Sequence, residues 1–370
     1  MIKNKNYKIL GLMSGTSMDG LDMCLAEIDI DKTNFLKFRI IKSAFEPFND
    51  TTKIQIKNAI NDINISATDN YLGKLFSKLC HKNFKSYEID AIALHGQTVS
   101  HIDGIMTKQI GNPKYLAKSF SKPVIFNFRQ ADIDQGGNGA PLMPFLDWLL
   151  FCKSKNDKII LNIGGISNLT YITNNSKKHE VIGFDTGPGM ALIDEYCLSE
   201  WEVDFDHNAK FSSQGFVIET LLDFLMEHPF INKKYPKSTG RHEFGEDLVK
   251  NIKKKWKEFS RKDILRTFVA FTAKSIWKNI SNIRNFSNKN TELIISGGGL
   301  CHPLLIQDLK NFTNLEIVNF KQKGLCSDFK EAFLMSVLGA CHLNGISANL
   351  PSVTGAKKNI VLGELYKKEL

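Results

Sequence analysis

Near the N-terminus, Gly11-Leu12-Met13-Ser14-Gly15-Thr16-Ser17-Met18-Asp19-Gly20-Leu21-Asp22 sets glycines, hydroxyls and two carboxylates within one short span. Glycines let backbone approach a ligand closely, and clustered N–H groups form a nest for an anion. Phosphate is the natural occupant, with Asp19 or Asp22 placed to hold a hydrated magnesium ion. A tight hairpin with no ligand has the same make-up, so this turn alone leaves both readings open. The span lies between two apolar segments. Residues 7–13 form one strand; Leu21, Met23, Leu25 and Ile30 supply apolar positions for a second.

The device recurs. Residues 159–163 read as a buried strand, Gly164-Gly165-Ile166-Ser167-Asn168 as a turn, and 169–172 as a resumed extended run. Short apolar segments at 181–184, 293–295 and 91–94 end in Asp185-Thr186-Gly187-Pro188-Gly189, Ser296-Gly297-Gly298-Gly299 and His95-Gly96-Gln97-Thr98. Open sheets collect ligands at strand ends, and two glycine hairpins about half a chain apart suggest a duplicated architecture. The fold class expected is α/β, mixed sheets flanked by helices. Helices are expected near 51–61, 69–83, 141–153, 188–199, 214–227, 245–258, 262–284 and 330–343. In 262–284, Ile264, Phe268, Phe271, Ile276 and Ile280 make one apolar stripe, with Arg266, Lys274 and Lys278 outside it.

A chain of 370 residues exceeds what one core usually serves, so two domains are expected. The seam is placed near 131–139, where Asp132, Asp134, Gly136, Gly137 and Gly139 follow the strand 124–128. Residues 1–131 with about 344–370 then form the first domain, and 132–343 the second. The greasiest stretch, 142–152, is interrupted by Pro144 and Asp147 and is too short to span a bilayer. With no signal peptide at the basic start, a cytoplasmic protein without membrane contact is expected. Cysteines 24, 80, 152, 197, 301, 326 and 341 form no CxxC pair and read as reduced thiols. The net charge of +9 fits either an anionic ligand or lysine-rich solvated faces. Lys253-Lys254-Lys255-Trp256-Lys257 spreads its charge all round a helix, and no RNA or DNA motif accompanies it, so no nucleic-acid partner is expected.

Strand–turn–strand units followed by helices, twice over, resemble the superfamily of actin, sugar kinases and heat-shock ATPases. More closely, the chain resembles the anhydro-N-acetylmuramic acid kinase family. The resemblance runs in order through 11–22, His95-Gly96-Gln97-Thr98-Val99, Asn127-Phe128-Arg129-Gln130-Ala131-Asp132-Ile133 and Gly139-Ala140-Pro141-Leu142-Met143-Pro144. It continues through 161–170, 184–189, Pro236-Lys237-Ser238-Thr239-Gly240-Arg241, 296–299, Lys330-Glu331-Ala332-Phe333 and Val353-Thr354-Gly355-Ala356. It implies two ribonuclease-H-like domains clasping ATP in a cleft, and a reaction of ATP, water and 1,6-anhydro-N-acetylmuramic acid giving N-acetylmuramic acid 6-phosphate and ADP. A homodimer is common among such kinases. Another phosphotransferase of the superfamily, or a chaperone-like ATPase, remains the alternative; the latter normally needs an appended partner-binding domain.

In that reaction the acceptor O6 is an ether oxygen bonded to C1, with no proton to lose. Water must attack C1 as the C1–O6 bond breaks, and one carboxylate must orient and deprotonate that water. Asp185 is the candidate base, with Gly187 and Pro188 leaving room for sugar. Its other role is to N-cap a helix starting near Pro188, and both can hold. For ATP, Ser14, Gly15, Thr16, Ser17, Met18, Asp19, Gly20, Leu21 and Asp22 are expected to wrap the β- and γ-phosphates. Gly164, Gly165 and Asn168 approach from the other half, and Gly297, Gly298 and Gly299 face the adenosine end or form a simple strand-to-helix turn. No Walker lysine is present, so N–H groups and magnesium must meet the phosphate charge. Arg129 is expected on the lactyl carboxylate, because a guanidinium fork matches two oxygens; a salt bridge to Asp132 or Asp134 is its alternative. Gln97, Thr98 and Asp132 are expected on sugar hydroxyls or the acetamido group, as is Glu331, which otherwise serves the helix dipole. His95 is either a packed strand-end histidine or a catalytic one, and 237–241 either a loop or a closure over phosphate. The chain departs from the family pattern at Met190, where Asn is common, at Asp147, where His is frequent, and in 201–210, which lacks a glycine.

Overall fold

The computed structural model describes residues 6–318 and 329–367; Cys326 lies outside them. The chain divides into two units, Met1–Leu150 with Asp328–Leu370, and Phe151–Ser327. This differs from the expected seam: residues 132–150 and the helix Lys330–Asn344 belong with the first unit. The reason for the helix is packing. It lies on the first unit's sheet, where Ser336 Oγ donates to Cys24 O (2.9 Å) and Ala332, Phe333, Val337 and Leu338 are buried.

In the first unit, β1 (Tyr7–Ser14), β2 (Gly20–Ile30) and β3 (Leu36–Pro47) form an antiparallel meander. Strand β4 (Ala91–Ile102) pairs parallel with β1 and antiparallel with β5 (Met106–Ile110). Strand β6 (Val124–Phe126) pairs parallel with β4. In the second unit, β7 (Asp157–Ile163), β8 (Ile166–Ile172) and β9 (Ile182–Pro188) repeat the meander, and β10 (Thr291–Ser296) and β11 (Glu316–Val318) add the parallel strands. The last strand, β12 (Glu364–Tyr366), returns to pair with β6. The orders are β3-β2-β1-β4-β6-β12 and β9-β8-β7-β10-β11, so the two units share one topology. The fold is α/β with two mixed sheets flanked by helices, as the sequence implies.

Two strands run further than expected. Residues 95–98 are not a turn but the middle of β4, because β5 folds back and pairs with 97–102. Likewise β9 continues through Asp185 to Pro188, with Asn168 opposite Asp185 and Ser167 opposite Gly187; Thr186 is the extra residue of a bulge.

Each unit has its own core. In the second, the helix Arg261–Ser281 starts at an N-cap where Ser260 Oγ accepts from Asp263 N (3.2 Å), and buries Phe268, Phe271, Ile276 and Ile280. In the first, Gly11 permits the close approach of the helix Lys330–Asn344: a Cβ there would meet Ala332 O at 2.0 Å. Six cysteines are described, all as free thiols. No helix of the described residues is long and apolar enough to cross a membrane.

Candidate active site

The hairpin β1–β2 closes its ladder at Met13 opposite Asp22, and the loop beyond is tight. Met18 N donates to Gly15 O (3.1 Å), and Met18 sits at φ 58°, a left-handed conformation that few side chains adopt. Thr16, Ser17 and Asp19 are exposed at the tip, and Asp19 O accepts from Phe48 N (2.8 Å). The Asp19 carboxylate carries no hydrogen bond or ion pair among the described residues, whereas the Asp22 side chain is half-buried and engaged. Gln97 fixes the hairpin from behind. Its amide is fully buried; Oε1 accepts from Ser14 Oγ (2.5 Å), and Nε2 donates to Gly15 O (3.1 Å) and Thr98 O (3.3 Å). Thr98 Oγ1 accepts from Gln109 Nε2 (3.3 Å).

A second group in the same unit surrounds Arg129. Its Nε donates to His95 Nε2 (3.0 Å) and its Nη1 to Gly139 O (2.9 Å), with Nη2 unbonded among the described residues. His95 is buried, which, aided by the Arg129 charge, pushes its pKa down to about 3. The imidazole is therefore neutral. Its Nδ1–H donates to Gly96 O (2.8 Å), which leaves Nε2 as the acceptor for arginine. Burial lowers Arg129 to about 10, still charged at neutral pH, while the Glu331 charge acts the other way. Glu331 is exposed in the first turn of the helix Lys330–Asn344. The salt bridge of Arg129 to Asp132 or Asp134 is not formed. Asp134 accepts from Gln130 Nε2 (2.8 Å), and Asp132 is fully buried. Asp132 Oδ1 accepts from Asn349 Nδ2 and Thr354 Oγ1 (both 2.9 Å), and Oδ2 from Gly139 N (2.9 Å). Thus Asp132 holds the 136–139 loop on which Arg129 leans. Next to Glu331, Lys330 makes a buried ion pair with Asp147 (2.5 Å).

In the second unit, Asp185 stands half-buried beside the bulge of β9. Its Oδ2 accepts from Thr239 N (2.9 Å), and its own N donates to Lys237 O (3.1 Å), so the 237–241 turn covers the strand edge. Lys237 itself points away. Its Nζ donates to Phe230 O (2.9 Å) and lies 4.5 Å from the centre of the Phe230 ring, and burial lowers it to about 8 against the Asp185 charge. Asp185 does not cap the following helix. That helix, Ala191–Trp201, has Met190 as N-cap without a side-chain bond. Its orphan donors go instead to the second hairpin: Gly189 N and Ala191 N to Gly165 O (2.9 and 3.0 Å), Met190 N to Gly164 O (2.8 Å). The unusual Met190 therefore serves through its backbone. The contact demands glycine, because a Cβ on Gly189 would lie 2.1 Å from Gly164 O. Gly187, at φ 127°, lies against Ile231, and Pro188 is buried opposite Ile166.

The hairpin turn Gly164-Gly165 also carries a neighbour that the sequence did not pair with it. A Cβ on Gly165 would stand 3.3 Å from Arg241 Nη2 and 3.5 Å from Nε, so the guanidinium lies over that glycine. Asn168 is half-buried in β8. The run 297–299 folds against the end of β7. Gly297 at φ 86° and Gly299 both press on Ile163, whereas Gly298 is exposed with open space above it. Among the described residues no group of three or more His, Cys, Asp or Glu side chains is placed to hold a metal.

A family model described as anhydro-N-acetylmuramic acid kinase matches residues 7–368. A protein of Bacillus cereus (strain Q1) bearing that name is 35% identical over 376 residues, covering 96% of this chain and 98% of its own. One of Clostridioides difficile (strain 630), named likewise, is 37% identical over 376 residues, covering 97% and 98%. Among solved structures, a ligand-bound xylulose kinase from Lactobacillus acidophilus shares 11% identity and a TM-score of 0.44, covering 98% of this chain and 94% of that one.

Proposed function

The chain belongs to the anhydro-N-acetylmuramic acid kinase family, and from that membership we propose the residues that do its chemistry. The activity is ATP-dependent phosphorylation of anhydro-N-acetylmuramic acid, in peptidoglycan recycling. Asp185 is the general base. One carboxylate oxygen is anchored by the Thr239 N–H, a setting that fixes the side chain for taking a proton from water. That anchoring is the observation that carries the assignment. Water's oxygen bonds to C1 as the C1–O6 bond breaks, its electron pair staying on O6. O6 then takes the γ-phosphoryl group as the bond to the bridging oxygen of ADP breaks, and water's proton goes to Asp185. Phosphoryl transfer itself is served by positioning and charge neutralisation.

The nucleotide is assigned to the backbone of 14–22, to Gly164, Gly165 and Asn168, and at the adenosine end to Gly297, Gly298 and Gly299. Gly298, open above its backbone, suits the close approach of a flat base. The free carboxylate of Asp19, with Asp22 behind it, fits magnesium, which takes few protein oxygens and keeps waters and phosphate oxygens as its other ligands. When bound, magnesium supplies charge neutralisation on the phosphates. On the sugar, Arg129 meets the lactyl carboxylate with its unbonded Nη2 edge; Thr98, Glu331, Gly187 and Pro188 line the rest. Gln97 and Asp132 act by holding the first hairpin and the 136–139 loop in register. A homodimer, readable by light scattering, completes the proposal.

Turnover in heavy-oxygen water tests this reading. Mass analysis of the sugar product should find label at C1 alone, with O6 unlabelled and carrying phosphate. Label in the phosphate, or none in the sugar, refutes it. Arg129→Lys tests the sugar contact, since lysine keeps the charge but loses the fork. A hydrogen bond to a charged group is worth roughly 1.5–3 kcal/mol, so KM for the sugar should rise about ten- to a hundredfold while KM for ATP holds. An unchanged sugar KM removes Arg129 from that role.

A further inference from the structure

We infer that Arg241 is a catalytic residue, the cation that meets the phosphoryl group in transit. The inference rests on the reading of the Gly164-Gly165 hairpin as a phosphate turn. Phosphoryl transfer spreads negative charge over the equatorial oxygens and onto the leaving oxygen, and enzymes of this class need a cation there. None of the glycine turns at 11–22, 164–168, 185–189 and 296–299 contains a lysine or arginine. A side-chain cation to act beside magnesium must come from elsewhere in the fold.

Arg241 brings it. Its guanidinium is laid over Gly165, 3.3–3.5 Å from where a larger side chain would begin. The residue is exposed, and among the described residues nothing is bonded to its guanidinium nitrogens. An arginine on an anchored turn, with no partner of its own among the described residues, has its donors open to a ligand. The turn that carries it is anchored at both ends. Gly240 O accepts from Glu243 N and Phe244 N (3.1 and 3.2 Å), and Phe244 is fully buried. Gly245 lies against Arg241 O, where a Cβ would come within 2.3 Å. The neighbouring cation of the same turn, Lys237, is turned into the Phe230 and Ile231 carbonyls and is out of play.

The same turn donates Thr239 N–H to Asp185. A single residue, Gly240, thus separates the group that anchors the base from the cation. As O6 bonds to phosphorus and the bond from phosphorus to the β–γ bridging oxygen breaks, its electron pair leaves on ADP. Arg241 donates its N–H groups to the oxygens that gain that charge. Asp194, in the first turn of the helix Ala191–Trp201, feels the Arg241 charge, and one of its carboxylate oxygens is buried without a partner.

The full-length chain with Arg241→Ala and Arg241→Lys decides the matter. Arg241→Ala should melt like the unaltered protein, because no described residue depends on its side chain. Its kcat with ATP and the anhydro sugar should fall about 10³-fold, the scale on which such arginines act. Arg241→Lys should recover part of that loss. By calorimetry, Arg241→Ala should weaken ATP but leave ADP within about twofold, since only ATP carries the group addressed. Turnover within tenfold of the unaltered protein overturns the inference. So does equal weakening of ATP and ADP, or a loss confined to the sugar's KM. The calorimetry needs no sugar: an unaltered protein inactive on the anhydro sugar sinks the functional reading, while a selective loss of ATP binding still upholds Arg241.

Discussion

Asp185→Asn should bring turnover of the anhydro sugar down by about 10² to 10⁴-fold, while ATP binds as before. The substitution keeps the anchoring bond. The carboxylate is anchored by accepting the Thr239 N–H, and the carbonyl oxygen of asparagine can accept the same bond. Asparagine also matches aspartate in shape, so the bulge at Thr186 and its bond to Ser167 O persist. What disappears is the ability to take a proton from water. Initial rates with the anhydro sugar, set beside calorimetric ATP binding, separate the two. A variant keeping more than about a tenth of the rate means another group accepts the proton, and Asp185 then leaves the mechanism.

Gly189→Ala should strongly destabilise the second unit. A Cβ at 189 would lie 2.1 Å from Gly164 O, and both parties are backbone, so no side chain can rotate to relieve the overlap. Relief requires the Gly164-Gly165 turn and the start of the helix Ala191–Trp201 to separate. That loses the three hydrogen bonds from Gly189, Met190 and Ala191 and leaves helix donors without partners. A destabilisation of about 3 kcal/mol or more is expected by urea titration. In the folded fraction, a displacement of the phosphate turn by about 1 Å should cost roughly 10²-fold in rate. Gly298→Ala is the control: nothing lies within 4 Å of its added carbon, and stability should be unchanged. Equal stability of Gly189→Ala and the unaltered chain would show that the two turns are not joined as described.

How much of this the sequence discloses depends on how far apart the interacting residues are along it. The hairpins, the repeated meander and the helix Arg261–Ser281 are local patterns of apolar period and glycine, and they are where expected. The extents of β4 and β9 were not readable, because glycine-bearing runs that look like turns were drawn into ladders by β5 and β8. The site shows the same division. Asp185 and Gly164-Gly165, which we propose for the site, are singled out by residue type and spacing. Gln97 and Asp132 look like ligand-facing polar residues, and only the fold reveals their partners. Ser14 is 83 residues from Gln97, and Asn349 and Thr354 are 217 and 222 residues from Asp132. The placing of Arg241 over Gly165 has no local signal either, though an arginine two residues after a Thr-Gly pair's threonine hints at a shaped turn.

The way the helix Lys330–Asn344 returns to the first unit carries a consequence for biosynthesis. The second unit is one uninterrupted stretch, 151–327, so it can complete its core as soon as it leaves the ribosome. The first unit emerges earlier but must wait, its β1–β2 surface bare of Ala332, Phe333 and Val337 until the helix Lys330–Asn344 has been made. The nascent chain therefore matures in reverse order of its halves, and the first half is the one that chaperones must shield meanwhile.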